Sequence, residues 1–213
     1  MPRGGEGRAF LRSLGHAWDG VVETAHQQRN MRIHLVAGLL VSLLGSGVPL
    51  GFGARLALLL CTFLVLSAEV ANSALEAMVD LVSPQHHESA RVAKDAGAGG
   101  VLVLAAGSVV VLALVLVEAW PSMWAEQGGL VRQAALGLPL AVAEALLLAP
   151  LRRPLVLDVV LVLGGALLLL VLASFSLCLV FTVEGALLFA VAAATARRAR
   201  AEPDHRKHPS GPT

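Results

Sequence analysis

The chain reads as an all-α, polytopic helical membrane protein, and three features of the sequence carry that reading. Hydrophobic residues make up 56% of it and charged residues only 15%. The apolar residues run in uninterrupted blocks rather than in the broken periodicity of a soluble fold. Nearly all the Lys and Arg residues also fall between alternate pairs of blocks, on one side of the implied membrane.

Ahead of the first block, Phe10, Leu11, Leu14, Trp18, Val21, Val22 and Ala25 recur at helical spacing between Arg8, Arg12, Asp19 and Glu23. That pattern predicts an amphipathic helix, either lying on the cytoplasmic surface or packed on protein; the spacing serves both. The first thirty residues lack an extended apolar core and a small-residue cleavage site, so the first span is expected to anchor itself.

A helix needs about 20 residues to cross a hydrocarbon core of roughly 30 Å. Six spans are expected, near Ile33–Leu50, Arg55–Leu75, Ala98–Val117, Leu130–Ala149, Leu155–Ala173 and Leu177–Ala196. The last two rest on a slender signal, because only Ser174-Phe-Ser176 marks a turn within a nearly continuous apolar stretch. Charge supports the even count. Arg3, Arg8, Arg12, Arg29, Arg32, Arg91, Lys94, Arg152, Arg153 and the basic residues from Arg197 onward share one side, with only Arg55 and Arg132 opposite. The rule that cytoplasmic loops are enriched in Lys and Arg then places both termini in the cytoplasm. Cys61 and Cys178 lie inside spans without metal-ligand neighbours and read as small packing residues. The Pro-rich polar tail, residues 198–213, is expected to be disordered.

Chemistry concentrates at the end of the second span, in Ser67-Ala-Glu-Val-Ala-Asn-Ser-Ala-Leu-Glu-Ala-Met-Val-Asp80. At the helical repeat Glu69, Glu76 and Asp80 fall within roughly 40° of one another, with Asn72 about 60° aside. A charge at membrane depth costs about 2.5–3.5 kcal/mol on insertion scales, and like charges repel, so this column of acids needs compensation. A cation with a phosphorylated ligand supplies it. Glu69 falls roughly 9 Å inside the boundary by the helical rise. Burial disfavours the charged form of a carboxyl group, which makes Glu69 the candidate base for an alcohol proton. Glu76 and Asp80, at or beyond the boundary, offer hard oxygen ligands for a Mg²⁺ bridging nucleotide phosphates.

A short polar loop, Ser83-Pro-Gln-His-His-Glu-Ser-Ala-Arg-Val-Ala-Lys-Asp95, returns the chain to the membrane. Lys94 at the interface suits phosphate neutralisation, and Gly97, Gly99 and Gly100 allow close helix approach. Each also has a plain reading, as a basic residue obeying the charge rule and as glycines that merely pack. Adjacent His86 and His87 do not converge on one point as an i, i+4 pair does, so zinc is disfavoured. No Gly-x-x-x-x-Gly-Lys-Ser/Thr or Gly-x-Gly-x-x-Gly loop occurs, and a nucleotide site here is of another kind.

These residues in this order resemble the prokaryotic diacylglycerol kinase family, including the undecaprenol kinases of Gram-positive bacteria. The resemblance runs from about Arg8 to Val117. It rests on Gly15-His-Ala-Trp-Asp-Gly20, Arg29-Asn-Met-Arg-Ile-His34, Glu69-Val-Ala-Asn-Ser-Ala-Leu-Glu76 with Val79-Asp80, and His87-Glu88 with Ala93-Lys-Asp95. It implies an enzyme that moves the γ-phosphoryl group of ATP to a lipid hydroxyl, diacylglycerol or undecaprenol, at the cytoplasmic face of the bacterial inner membrane. Members are homotrimers with a surface helix and three spans per subunit. By the same resemblance Glu69 is the general base, with Asn72 beside it, and Glu76 and the residue at position 28 hold the Mg²⁺ of ATP. His16, Asp80, Gln85, His86, His87, Lys94 and Asp95 contact the nucleotide, and Glu69 and Ala98 the lipid. No nucleic-acid partner is expected.

Two departures stand out. Position 28 is normally Glu and is here Gln28, which can ligate through its amide oxygen but brings no charge. The family also ordinarily ends near Trp120. Residues 1–119 therefore read as the kinase-like domain and residues 120–197 as further membrane helices of unknown role, with Glu144, Asp158 and Glu184 as their anomalous acids. The competing function is a catalytically impaired scaffold derived from the kinase, favoured by Gln28. A transporter using Glu184 lacks paired inverted repeats.

Overall fold

The computed structural model describes residues 4–83 and 87–201, which form seven helices: α1 (Gly4–Gln27), α2 (Arg29–Gly47), α3 (Phe52–Val82), α4 (Glu88–Ala125), α5 (Gln127–Leu148), α6 (Leu155–Phe175) and α7 (Leu179–Ala201). The described residues contain no strand. Helices α2 to α7 are each long and apolar enough to cross a membrane, so the six expected spans are present. The slender break holds: α6 stops at Phe175 and α7 starts at Leu179. Residues 198–201 of the expected disordered tail instead continue α7 as helix, and residues 202–213 lie outside the described residues.

Two helices are longer than their apolar segments. At 1.5 Å per residue the 31 residues of α3 and the 38 of α4 run about 46 and 57 Å, well beyond a core of roughly 30 Å. Their polar ends therefore project past the hydrocarbon as a rigid pair, which is how the acidic segment keeps its helical register. Between α1 and α2 the chain breaks at Gln28, whose backbone is extended (φ −95°, ψ 123°) and whose side chain makes no capping bond. That side chain is free for another partner.

Helix α2 is the centre of the bundle. It packs on α3 to one side and on α5 and α7 to the other, while α4 leans chiefly on α3. Met31, Leu35 and Leu39 of α2 are fully buried against Leu140 and Leu147 of α5, Leu172 of α6 and Leu188, Phe189 and Ala192 of α7. With lipid outside and apolar residues inside, close packing rather than water exclusion must hold such helices together. Small residues permit it. Gly165 faces the Phe189 ring, and a Cβ at Gly45 would sit 2.5 Å from the Phe181 ring. The outer face of α4, with Leu102, Val103, Val109, Val110, Leu114 and Val117, is exposed and suits lipid contact.

Helix α1 follows the second reading of its amphipathic pattern in its C-terminal half and leaves the first half's apolar residues unpacked. Its C-terminal half packs on α7, α2 and α3, burying Val22 and Ala25, while Phe10, Leu11 and Leu14 stay exposed. Polar contacts tie the bundle at both ends. At the basic end Asp158 accepts from Arg153 Nε at 3.0 Å and from Arg200 Nε at 2.8 Å, and Arg198 pairs with Glu23 of α1. At the far end Gln133 Nε2 donates to the Leu43 carbonyl at 3.1 Å, and the Leu177 amide to the Ser46 carbonyl at 2.8 Å. Trp120 and Trp124 meet edge to face there, centroids 5.8 Å apart, and Cys61 and Cys178 are free thiols.

Overpacking a close helix contact costs about 1–3 kcal/mol. Gly45→Leu and Gly165→Leu are therefore each expected to lower the Tm in detergent, measured by thiol-independent scanning fluorimetry. Gly107→Leu, which meets nothing within 4 Å, is expected to leave it unchanged.

Candidate active site

The inward face of α3 is a single stripe. Leu58, Thr62, Val65, Glu69 and Asn72 are buried at spacings of three and four, and half-buried Glu76 continues the line. The lower part is apolar and the upper part carries the oxygens, so one helix face passes from lipid depth to the interface.

Glu69 is only 2% exposed. His34 of α2 brings Nε2 to 3.4 Å from Glu69 Oε1, a contact too poor to count as a hydrogen bond, and that oxygen is otherwise without a partner among the described residues. One turn and more along α3, Glu76 is held by two amides. Gln28 Nε2 donates to its Oε2 at 3.0 Å and Asn72 Nδ2 to its Oε1 at 2.9 Å. The break at Gln28 makes the first of these possible. Asn72 Oδ1 is buried and has no hydrogen-bond partner among the described residues. Gly97 of α4 crosses so close to it that any Cβ would strike Asn72 Oδ1 and lie 2.8 Å from Leu75. Here glycine is required for space.

The remaining expected residues spread outward from this cluster. Asp80 is exposed and receives Lys94 Nζ at 2.6 Å, joining α3 to α4. Asp95, also exposed, is bonded by Arg91 at 2.7 Å, which reaches Glu88 as well. His87 caps α4, accepting the Ser89 amide on Nδ1 at 3.2 Å. His16 is exposed on α1, and Ala98 is exposed on α4. Gln85 and His86 lie outside the described residues. The structure thus gathers Gln28, Glu69, Asn72 and Glu76 into one site, with Lys94 and Asp80 at its rim.

An apolar cavity of about 180 Å³ opens between α2, α3 and α4, reaching His34, the neighbour of Glu69. His34 stands at one end, and Gly38, Val41, Leu58, Cys61, Thr62, Val65, Ala105 and Leu112 line the rest. Its walls are almost wholly apolar, and along α3 it spans Leu58 to Val65, about 10 Å of helix. Sequence reasoning missed His34 as a partner of Glu69. A signal was available, since an ionisable residue inside an apolar span is by default a functional candidate.

The oxygens can be tested against a divalent cation. Among the described residues no three His, Cys, Asp or Glu side chains converge, so a closed protein cage does not fit. Mg²⁺ bound with a nucleotide needs only one or two carboxylates, keeping waters and phosphate oxygens as its other ligands. Glu76 fits that demand, and Gln28 and Asn72, which here present their amide nitrogens to it, carry oxygens that an amide turn would bring to the cation. The orphaned Asn72 oxygen is the observation in its favour.

Fold and site together define an α-helical membrane protein with a carboxylate and amide site where its helices leave the hydrocarbon, opening onto an apolar cavity. The profile of the family described as prokaryotic diacylglycerol kinase matches residues 15–116. The undecaprenol kinase of Bacillus subtilis (strain 168) is 37% identical over 102 residues, 48% of this chain and 83% of that protein. The diacylglycerol kinase of Synechocystis sp. is 42% identical over 103 residues, 48% of this chain and 59% of that protein. The diacylglycerol kinase of Escherichia coli (strain K12) is 28% identical over 107 residues, covering 50% and 88%. No solved structure matches the chain. The chain belongs to the prokaryotic diacylglycerol kinase family and is a lipid kinase. Helices α5 to α7 lie outside the matched region.

Gln28→Glu replaces a donor to Glu76 with a second carboxylate. Without divalent cations the variant is expected to melt at lower temperature than the natural protein, and Mg²⁺ is expected to raise its Tm more. Equal Mg²⁺ responses in scanning fluorimetry would show that position 28 does not face the cation.

Proposed function

We propose that this chain transfers the γ-phosphoryl group of ATP to the hydroxyl of a membrane lipid alcohol, diacylglycerol or undecaprenol, and the observation carrying this is the apolar cavity lined at one end by His34, whose Nε2 lies 3.4 Å from Glu69 Oε1. A lipid tail in that cavity brings its hydroxyl to the Glu69 carboxylate. Glu69 takes the hydroxyl proton as the oxygen bonds to the γ-phosphorus, and the bond from that phosphorus to the β,γ-bridging oxygen breaks. The products are the phosphorylated lipid and ADP. Such a transition state asks the protein mainly for positioning and charge neutralisation.

Positioning falls to the amides of Gln28 and Asn72 around Glu76, and to Lys94 at the rim, which on nucleotide binding exchanges Asp80 for phosphate oxygens. Mg²⁺, when bound with ATP, would be held by Glu76 with Gln28 and Asn72 and would supply positive charge against the triphosphate. His16, Gln85, His86, His87 and Asp95 are proposed to complete the nucleotide site. The excess of Lys and Arg at this end supports a cytoplasmic location for it and for both termini, in the inner membrane of a bacterium. A homotrimer is proposed by family resemblance, and the exposed faces of α3 and α4 offer it contact surface.

Gln28 favours the second reading, a catalytically impaired scaffold. One assay separates them: ³²P transfer from ATP, with diacylglycerol and undecaprenol offered side by side to the purified protein. Transfer to either lipid is expected, with a loss of about 100-fold or more in Glu69→Gln and in Glu76→Gln. Mg²⁺-insensitive ATP binding without transfer in the natural protein would establish the scaffold.

A further inference from the structure

Outside the matched region, α7 carries a carboxylic acid that reaches the opposite wall of the lipid cavity. Glu184 is 2% exposed and lies well inside its apolar helix. Ser42 of α2 donates to its Oε2 at 2.8 Å. Its other oxygen, Oε1, is buried with no hydrogen-bond partner among the described residues. Thr62 of α3 stands against the same carboxyl group, its hydroxyl turned to the Leu58 carbonyl at 3.2 Å.

Three helices meet at this point with no slack. A Cβ on Gly38 of α2 would come within 2.9 Å of the Thr62 methyl and 3.0 Å of Leu188 on α7. Gly185, beside the acid, has Leu39 at 3.2 Å on the same test. Gly38 and Thr62 are also lining residues of the cavity. Thr62 precedes Glu69 by two helical turns, about 10 Å along the path a lipid tail takes from its hydroxyl.

A staple that served packing alone gains nothing from a half-satisfied acid, because an unpaired buried oxygen is costly and an apolar side chain of that size packs as well. Thr62 stands beside the acid with its methyl toward Gly38, so the side chain at position 184 bears on how this lining residue is held. We propose that Glu184 is a positioning residue that sets the α2–α3 wall of the acceptor cavity through Ser42 and Thr62, and thereby selects the length and bulk of the lipid chain that the site takes. The proposal rests on the kinase reading above, and it assigns the appended helices a part in acceptor choice.

The test is steady-state kinetics of the full chain in mixed micelles with dioctanoylglycerol, dipalmitoylglycerol and undecaprenol. Glu184→Leu is expected to shift the ratio of kcat/KM between short and long acceptors at least fivefold while the KM for ATP stays within twofold. Thr62→Val should shift it in the same sense. Glu184→Gln, which still accepts from Ser42, should restore the natural ratio to within twofold. A uniform loss of kcat across all acceptors, or no change in their ranking in either Glu184→Leu or Thr62→Val, overturns the proposal and leaves the kinase reading intact. Cys61, which lines the cavity, gives a readout free of turnover. In a Cys178→Ser background each lipid should slow its alkylation by N-ethylmaleimide, and Glu184→Leu should alter which lipid protects best. Should the natural protein transfer phosphate to no lipid, the kinase reading fails, and unchanged protection in Glu184→Leu would sink the positioning role separately.

Discussion

Acid side chains on a helix that crosses a membrane must be compensated, and the way this chain meets that demand shapes the rest of it. The inward stripe of α3 takes its carboxylates from lipid depth to the interface without leaving the helix. Glu69 is therefore rigidly placed by backbone geometry, and Glu76 by the two amides that grip it. The extended residue between α1 and α2 exists where Gln28 must turn back toward Glu76. The glycine at position 97 exists where α4 must pass the Asn72 oxygen. Both are local backbone features whose cause is a side chain on another helix.

The acids of this chain fall into two groups by how fully they are compensated. Asp158 has guanidinium donors from two sides and Asp80 has Lys94 of α4, so these close contacts between chain segments, while Asp95 pairs with Arg91 one turn back on its own helix. Glu69 and Glu184 are buried and only partly partnered, and Glu144 is 0% exposed with neither oxygen bonded among the described residues. A satisfied buried pair fixes structure, whereas an unsatisfied oxygen raises the energy of the resting state and marks where a proton, hydroxyl or cation brings relief. Glu69 has His34 beside it, which lines an apolar cavity, and Glu76 further along the same helix face. Glu144 has neither, and the structure gives no physical account of it.

Much of this was legible in the sequence because it is written in period and composition. Blocks of apolar residues give the six helices, and even the faint Ser174-Phe-Ser176 signal marks a true helix end. The alignment of Glu69, Asn72 and Glu76 follows from the helical repeat alone. Contacts between helices were not legible, since nothing in a linear pattern says that Gln28 meets Glu76 across 48 positions or that Ser42 meets Glu184 across 142. His34 escaped notice because it sits at the start of an apolar run, where the interface makes an imidazole unremarkable. Asp80 belonged to the acid column by angle, yet exposure and Lys94 draw it outward, because helical phase fixes direction but not depth.

Helix α2 carries the argument that joins the matched and appended halves. One of its faces walls the cavity through His34, Gly38 and Val41, and another is buried against α5 and α7 through Leu35, Leu39 and Ser42. Close-packed helices do not deform smoothly, and a change on one face is carried through to the other as a small shift of the whole element. Gly38 is the point where this is most acute, with Thr62 and Leu188 both pressing on a residue that has no side chain to yield. The appended helices therefore cannot move against α2 without moving this wall of the cavity. Helix α4 is different, packing chiefly on α3 and leaving its outer face exposed. On the proposed reading an acceptor tail would lie between α4 on one side and α2 and α3 on the other, whose lining residues give the cavity its shape.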